Sequence, residues 1–153
     1  MNKYVAYIEM EAGSKVKHVF NKEKNKLEIH RILKEPLIEP FYYGFIKNSI
    51  SGDKDPFDVF VLSYKRLSAS DEIEIKPVGI IYCEDEMGED NKILAVPIEE
   101  EKINDIKDID KVLLYALCYQ IEHNKDGIPG KWTKVKGIGN KDEATNIIEE
   151  NMI

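Results

Sequence analysis

Short apolar segments that alternate with polar residues dominate the first two thirds of the chain. Alternation with a period of two is typical of β-strands that bury one face, and turn residues separate the segments. The pattern predicts seven strands, in the order YVAYIEM, KVKHVF, KLEIHRI, FYYGFI, FDVFVLSY, EIEIKPVGIIYC and NKILAVP. Strands that are this short and this closely spaced favour a β-barrel.

The last third of the chain changes to helical spacing. Apolar residues recur at helical intervals from about Ile109 to Lys125, with acids at the start and basic residues in the last turn. A second helix is predicted to begin after Asn140, a favourable N-cap residue, and PIEEEKINDI allows a shorter turn. The predicted fold class is mainly β with appended helices (α+β), in one domain over residues 1–153.

Composition and charge narrow the class of protein. With 42% hydrophobic and 33% charged residues, the 153-residue chain has the composition of a soluble globular protein. Its longest apolar run, residues 112–119, is far shorter than the ~20 residues that cross a membrane. The net charge of −7 opposes binding to nucleic acid or acidic membranes, so we expect a small partner. Cys83 and Cys118 lack any paired spacing, which favours reduced cysteines and a cytoplasmic protein.

Three carboxylates stand at the head of a strand in SGDKDPFDVF. In an extended chain Asp53 and Asp55 would point away from Asp58, but Gly52 and Pro56 supply a turn that lets all three converge. Carboxylates that lie close together raise one another's pKa values unless a cation sits among them, and hard oxygen ligands suit Mg²⁺. The residues alone leave a metal site and a solvated acidic turn equally open.

A second acidic run, CEDEMGEDNK, lies between two predicted strands. Asp85 and Asp90 flank its turn and Lys92 follows, so one loop offers metal ligands and a cation for phosphate, although acidic hairpin loops are also ordinary. Other residues that suit an anionic ligand are scattered along the chain, and each alone is typical of a surface charge or a packing aromatic: Lys17, Arg31, Tyr43 and Lys125.

The segment DKDPFDV resembles the D-x-D-P-x-D-V signature of the family I soluble inorganic pyrophosphatases. Further segments follow in the order that this family shows, from about Tyr4 to Asn151: IEME, KLEIHR, PFYYGFI, KPVGII, DEMGEDNKILAVP and HNKDGIPGKW. The resemblance implies an OB-like five-stranded β-barrel with flanking helices, Mg²⁺-dependent hydrolysis of pyrophosphate to two phosphates, and a homohexamer.

The resemblance also implies a role for each matching residue. The metal-binding acids would be Asp53, Asp58, Asp85 and Asp90, with Asp58 bridging two ions. Asp55 would be the general base that takes a proton from a water held between two or more Mg²⁺ ions. The phosphate-binding positions match Lys17, Arg31, Tyr43 and Lys125, and supporting positions in the substrate cleft match Glu9, Glu86 and Lys92.

Four residues depart from the family's pattern. Val19 replaces a cleft Glu, Asn124 replaces the Tyr that usually precedes the phosphate-binding Lys, Glu39 replaces an aromatic, and Lys54 stands where a small or acidic residue is usual. These changes leave two alternatives open: a hydrolase that prefers another phosphoanhydride, and a metal- or phosphate-binding module without catalysis.

Overall fold

This computed structural model describes residues 3–51 and 54–153 of the chain. These residues contain nine strands and two α-helices, joined by turns and loops. The strands are β1 Tyr4–Met10, β2 Val16–Asn21, β3 Lys26–Ile32, β4 Phe41–Ile46, β5 Asp58–Leu62, β6 Glu72–Asp85, β7 Gly88–Glu89, β8 Lys92–Pro97 and β9 Thr133–Asn140. The helices are α1 Lys111–His123 and α2 Lys141–Glu150, and a short 3₁₀ helix covers Ile106–Asp108.

Five of the strands close into a ring in the order β1-β4-β5-β8-β6, with β6 returning to β1. Only the β5–β8 pair is parallel; the other pairs of the ring are antiparallel. This closed ring, with two helices, confirms the predicted class. Strands β2 and β3 form a separate hairpin that pairs with no strand of the ring.

Alternation along β5 sends its side chains into two hydrophobic clusters. Val59 belongs to the cluster that includes Ile148 of α2, whereas Phe60 belongs to the cluster that includes Ile121 of α1. Asp58, two positions before Phe60, therefore lies on the same face of β5 as Phe60, towards α1. The alternation of β5 thus places the carboxylate of Asp58 on the face of the strand that is turned towards α1.

Both predicted helices are present, with boundaries set by their caps. The carboxylate of Asp110 accepts hydrogen bonds from the backbone N–H groups of residues 112 and 113, so α1 begins at Lys111. The helix ends at His123, with Asn124 as its C-cap, and is thus shorter than the predicted 109–125 at both ends. Asn140 caps α2 as predicted and forms a capping box with Glu143. Helix α1 buries Leu117 and Ile121, while its other face stays exposed: Val112, Tyr115 and Tyr119. No helix in the described part of the chain is long and apolar enough to span a membrane.

Residues 133–140 form a strand that the sequence pattern did not predict. None of the seven predicted strands lies between the two helices, but β9 pairs antiparallel with β6 from Gly79↔Asn140 to Asp85↔Thr133. The pairing places Thr133 beside the acidic hairpin that ends β6. Cys83 and Cys118 are free thiols, as predicted.

Candidate active site

The parallel pairing of β5 with β8 brings an acid and a lysine together. Asp58 begins β5 and Lys92 begins β8, and the two residues are register partners. The Nζ atom of Lys92 lies 2.7 Å from Oδ2 of Asp58 and 2.9 Å from Oδ2 of Asp90. Lys92 is only 9% exposed. One buried ammonium group therefore neutralises two carboxylates.

The pKa values of this triad follow from burial and mutual charge. Burial alone would lower the pKa of Lys92, but the surrounding negative groups, including Asp58 and Asp90, hold it well above its usual value. Burial would raise the pKa of Asp58, yet the charge and hydrogen bond of Lys92 and a hydrogen bond from Tyr43 lower it overall. The pKa of Asp90 is raised, chiefly by burial and also by the neighbouring carboxylate of Asp58.

The loop before β5 turns Asp55 towards the same region. Ser51 N–H donates to the backbone oxygen of Asp55 at 2.8 Å, and Lys54 N–H donates to that of Ser51 at 3.0 Å. Lys54 has a φ of +70°, so the chain reverses here instead of continuing as an extended strand. Because the backbone is irregular here, Asp55 and Asp58 line the same cavity, as predicted. Asp53, the remaining acid of the motif, lies outside the described residues.

The hairpin between β6 and β7 holds the loop that follows α1. Oδ2 of Asp85 lies 3.4 Å from Nζ of Lys125, and Oε1 of Glu86 lies 3.7 Å from the same nitrogen. Glu86 also accepts a hydrogen bond from the backbone N–H of Trp132 at 3.1 Å and contacts Lys131 at 3.6 Å. The acidic hairpin thus fixes the position of Lys125 on the wall opposite β5.

The ring of Tyr43 lies close to two lysines. Nζ of Lys17 is 5.6 Å from the ring centroid and Nζ of Lys92 is 5.8 Å from it. Burial, together with the positive charges of Arg31 and Lys92, lowers the pKa of Lys17 to about 8. Arg31 is the register partner of Lys17 on β3, and its buried Nε has no hydrogen-bond partner among the described residues. An excess of positive charge at this end suits an anionic ligand.

Glu9 ties the β2–β3 hairpin to the ring. Its Oε2 accepts a hydrogen bond from the backbone N–H of Phe20 at 2.9 Å, and its backbone oxygen contacts Nδ1 of His18 at 3.1 Å. Burial raises the pKa of Glu9 to about 7. Glu9 therefore supports the strand that carries Lys17 and stays partly protonated near neutral pH.

Most of the described residues predicted for the site line one cavity of about 420 Å³: Lys17, Tyr43, Asp55, Asp58, Asp85, Asp90, Lys92 and Lys125. Glu9 lines a neighbouring cavity of about 290 Å³ that shares Lys17, Tyr43, Asp55 and Asp58 with the first. Arg31 lines neither cavity; it is the register partner of Lys17, and its positive charge helps to lower the pKa of Lys17.

Gln120 and Thr133 also line the main cavity, and the sequence pattern did not single them out. Thr133 depends on β9, which was not predicted. Gln120 carried a usable signal, because it falls on the same face of α1 as Leu117, Ile121 and Asn124. A polar side chain on the buried face of a helix needs a polar partner.

The donor chemistry of the cavity fits a divalent cation. Asp55, Asp58, Asp85 and Asp90 supply hard carboxylate oxygens, and the charge of Lys92 already meets the need for a cation between Asp58 and Asp90. Within residues 3–51 and 54–153, however, no three acidic, His or Cys side chains lie close enough together to hold a metal ion. The acids face one space, with Lys92 inserted between two of them.

Fold and site together define a class of protein: a closed five-stranded ring whose cleft combines carboxylates, a donor type that suits a divalent metal, with lysines, which suit an anion. Known proteins of the same kind were found by both sequence and structure. The profile of the family described as inorganic pyrophosphatase matches residues 6–153. The chain belongs to this family, and membership implies a divalent-metal cofactor.

Relatives and solved structures agree on the family. The inorganic pyrophosphatase of Saccharolobus solfataricus is 36% identical over 149 residues, which cover 94% of this chain and 87% of the relative. That of Nanoarchaeum equitans is 37% identical over 150 residues, covering 95% and 92%. The solved structure of the Helicobacter pylori inorganic pyrophosphatase superposes with a TM-score of 0.91 at 34% identity, covering 97% of this chain and 91% of that one.

Proposed function

We propose that this chain hydrolyses inorganic pyrophosphate to two phosphates with Mg²⁺ as its cofactor. The observation that carries the proposal is the convergence of four aspartates and three lysines on one cavity, in a chain of the inorganic pyrophosphatase family. Pyrophosphate is small and highly charged, so such a site must neutralise charge on both phosphoryl groups.

Asp58, Asp85 and Asp90 are proposed to hold the metal, together with Asp53. When bound, Mg²⁺ ions supply Lewis acidity, lower the pKa of an attacking water and balance the charge of the phosphoryl oxygens. Asp58 is proposed as the bridging ligand. Nζ of Lys92 contacts Oδ2 of Asp58 and Oδ2 of Asp90, so a metal that took either of these oxygens would displace the ammonium group and leave it available to the substrate.

Asp55 is proposed as the general base. It lines both the main cavity and the neighbouring one, on the irregular loop before β5. A carboxylate in this place removes a proton from the attacking water as its oxygen bonds to phosphorus and the bridging P–O bond breaks. The released phosphate keeps the electron pair of that bond.

Lys17, Lys92 and Lys125 are proposed to bind the phosphoryl groups, with Tyr43 and Arg31. Burial and neighbouring positive charge lower the pKa of Lys17 to about 8 in the ligand-free site. A bound anion would favour the charged ammonium and raise this pKa again. Substrate binding would therefore be accompanied by proton uptake near pH 8.

Phosphate release from pyrophosphate and from ATP, each with Mg²⁺ and with excess EDTA, tests the proposal. We expect release from pyrophosphate only with Mg²⁺. Asp55→Asn should lose about 10²- to 10⁴-fold in rate, the range for general base catalysis, while Mg²⁺ still raises its melting temperature. Asp142→Asn, an exposed acid in the first turn of α2, is the matched control and should keep the parent rate. Undiminished turnover in EDTA or in Asp55→Asn would refute the assignment.

A larger phosphoanhydride is the second candidate substrate. Asn124, Leu33 and Gln120 line both the main cavity and an adjoining cavity of about 200 Å³ near Lys34 and His123. This side space favours a substrate with a group beyond the second phosphoryl unit. Faster Mg²⁺-dependent release from ATP than from pyrophosphate would select this candidate.

We also propose that the protein forms a homohexamer and acts in the cytoplasm. On α1, Tyr115 is 72% exposed and Val112 is 78% exposed, and Tyr119 continues this apolar face next to the His123–Asp126 pair. Exposed apolar faces of this kind are typical of contacts between copies of a chain. Free Cys83 and Cys118 suit a reducing compartment. Light scattering should give six chains, and Tyr115→Lys should reduce that number.

A further inference from the structure

The segment 33–38 connects the two sides of the cleft. On one side, Leu33 N–H donates to the backbone oxygen of Lys15 at 2.7 Å and Leu37 N–H donates to that of Ser14 at 2.9 Å. Gly13 N–H donates in return to the backbone oxygen of Leu37 at 2.9 Å. Residues 13–15 lead directly into β2, which carries Lys17. The segment is thus joined to the base of the β2–β3 hairpin.

On the other side, one side chain of α1 holds the same segment. Oε1 of Gln120 accepts a hydrogen bond from Ile38 N–H at 3.0 Å, and Nε2 of Gln120 donates to the backbone oxygen of Pro36 at 2.6 Å. Backbone groups of an extended segment alternate between its two edges. Leu37 bonds to residues 13 and 14, and its two neighbours bond to Gln120, so the primary amide takes the place of a second strand.

The position of Gln120 links this clamp to the phosphate-binding residues. Gln120 lies one turn before Asn124 and Lys125, and it lines the main cavity together with Leu33 and Leu37. The chain of contacts therefore runs from the Lys125 side of the cleft, through Gln120 and the segment 33–38, to the Lys17 side. Both lysines belong to the cavity in which the proposed function places pyrophosphate.

We propose that Gln120 is a positioning residue that sets the width of the phosphate cleft. By holding the segment 33–38 against α1, it keeps Lys17 and Arg31 at a fixed distance from Lys125. The inference rests on the proposed function for its substrate. A polyanion bound between two cationic walls is held well only when both walls are within reach, so a loosened clamp reduces affinity more than turnover.

Gln120→Met tests the clamp because Met has a similar length and helix propensity but no amide. Glu122→Met is the matched control: Oε2 of Glu122 accepts a hydrogen bond from Val135 N–H at 3.1 Å, which ties the same helix to β9 and not to the segment 33–38. Three quantities are measured for each variant: KM and kcat for pyrophosphate, the Kd of non-hydrolysable imidodiphosphate, and hydrogen exchange at the amides of residues 37 and 38.

We expect Gln120→Met to raise KM and Kd about 10-fold, to change kcat less than about threefold, and to speed exchange at both amides. Glu122→Met should leave all of these within about twofold of the parent. Unchanged exchange in Gln120→Met would show that Gln120 does not hold the segment. Faster exchange with unchanged KM and Kd, or equal effects in both variants, would show that the clamp does not set the cleft. If the parent does not cleave pyrophosphate, the proposed function fails, and exchange together with imidodiphosphate binding still decides the role of Gln120.

Discussion

Replacing Lys92 by Met removes the positive charge between Asp58 and Asp90 while keeping a side chain of similar length. Two carboxylate oxygens that now share one ammonium group, at 2.7 and 2.9 Å, would be left facing each other in a mostly buried site. Breaking a buried ion pair by removing one partner costs about 3–5 kcal/mol. The acid side chains are 27% and 22% exposed, and one of them can bind a proton, so we expect the lower end, about 3 kcal/mol.

The assay is thermal and urea unfolding of Lys92→Met and the parent, with excess EDTA and with Mg²⁺. In EDTA, a loss of about 3 kcal/mol should lower the melting temperature by about 6–12 °C for a chain of this size. Mg²⁺ at 100 times its Kd would restore about 2.7 kcal/mol. The variant should gain more from Mg²⁺ than the parent, because in the parent the ion competes with the ammonium group of Lys92.

Lys136→Met is the matched control, since Lys136 meets Glu84 only in an exposed pair at 3.5 Å and should contribute less than about 1 kcal/mol. Two results would refute the reasoning. One is a Lys92→Met protein as stable as the parent in EDTA. The other is an equal gain from Mg²⁺ in both proteins, which would mean that Lys92 and the metal do not compete for the same carboxylates.

Three further predictions concern Glu9, Asn124 and Gly44. Because burial raises the pKa of Glu9 from 4.5 to about 7, the folded protein holds this proton more tightly than the unfolded chain does, and the free energy of unfolding should fall as pH rises between these values. This fall is at most about 3 kcal/mol, and Glu9→Gln should remove it when unfolding by urea is compared at about pH 5 and about pH 8. If the free energy of unfolding of Glu9→Gln still fell between these pH values, Glu9 would not be its cause. Asn124→Tyr should raise kcat/KM for pyrophosphate about 10-fold or more by adding a hydrogen bond to a charged oxygen, and a decrease would show that the cleft is adapted to Asn. Gly44→Ala should lower the free energy of unfolding by about 2 kcal/mol or more, because a Cβ there would lie 1.9 Å from the backbone oxygen of Tyr7. Gly137→Ala is the control: a Cβ at Gly137 meets nothing within 4 Å, so the free energy of unfolding should change by less than about 0.5 kcal/mol. Equal effects of the two substitutions in urea unfolding would contradict the close approach at Gly44.

Local patterns in the sequence were sufficient to predict most of the strands and both helices. Strands such as β1 and β4 have the predicted bounds because apolar alternation and flanking turn residues lie within the segment itself. Strand β9 was missed because TKVKGIGN contains two glycines and buries only Gly139, so its extended form depends on pairing with β6, about 50 residues earlier. Long-range pairing leaves little trace in a local pattern.

The distinction between local patterns and long-range pairing also applies to the residues of the candidate site. Asp55, Asp58, Asp85 and Asp90 were found from their clustering in two short segments, and the structure brings them to one cavity. The insertion of Lys92 between two acids was not foreseen, because it depends on the parallel register of β5 with β8. The helical spacing of Gln120 showed that its amide needs a polar partner, but it could not identify Ile38 and Pro36, which lie 82 and 84 residues away.

Closure of the ring has a consequence for solubility. A ring of five strands leaves no open edge along its own circuit, so backbone groups there cannot recruit a strand from another molecule. The β2–β3 hairpin lacks this protection, because β3 pairs with β2 alone and carries the exposed side chains Ile29 and Ile32. Lys26 and Glu28 precede these apolar residues on β3, and charges on an edge strand discourage edge-to-edge association. Apolar replacements in this short stretch would turn the hairpin into the seed of fibrillar aggregation without disturbing the ring.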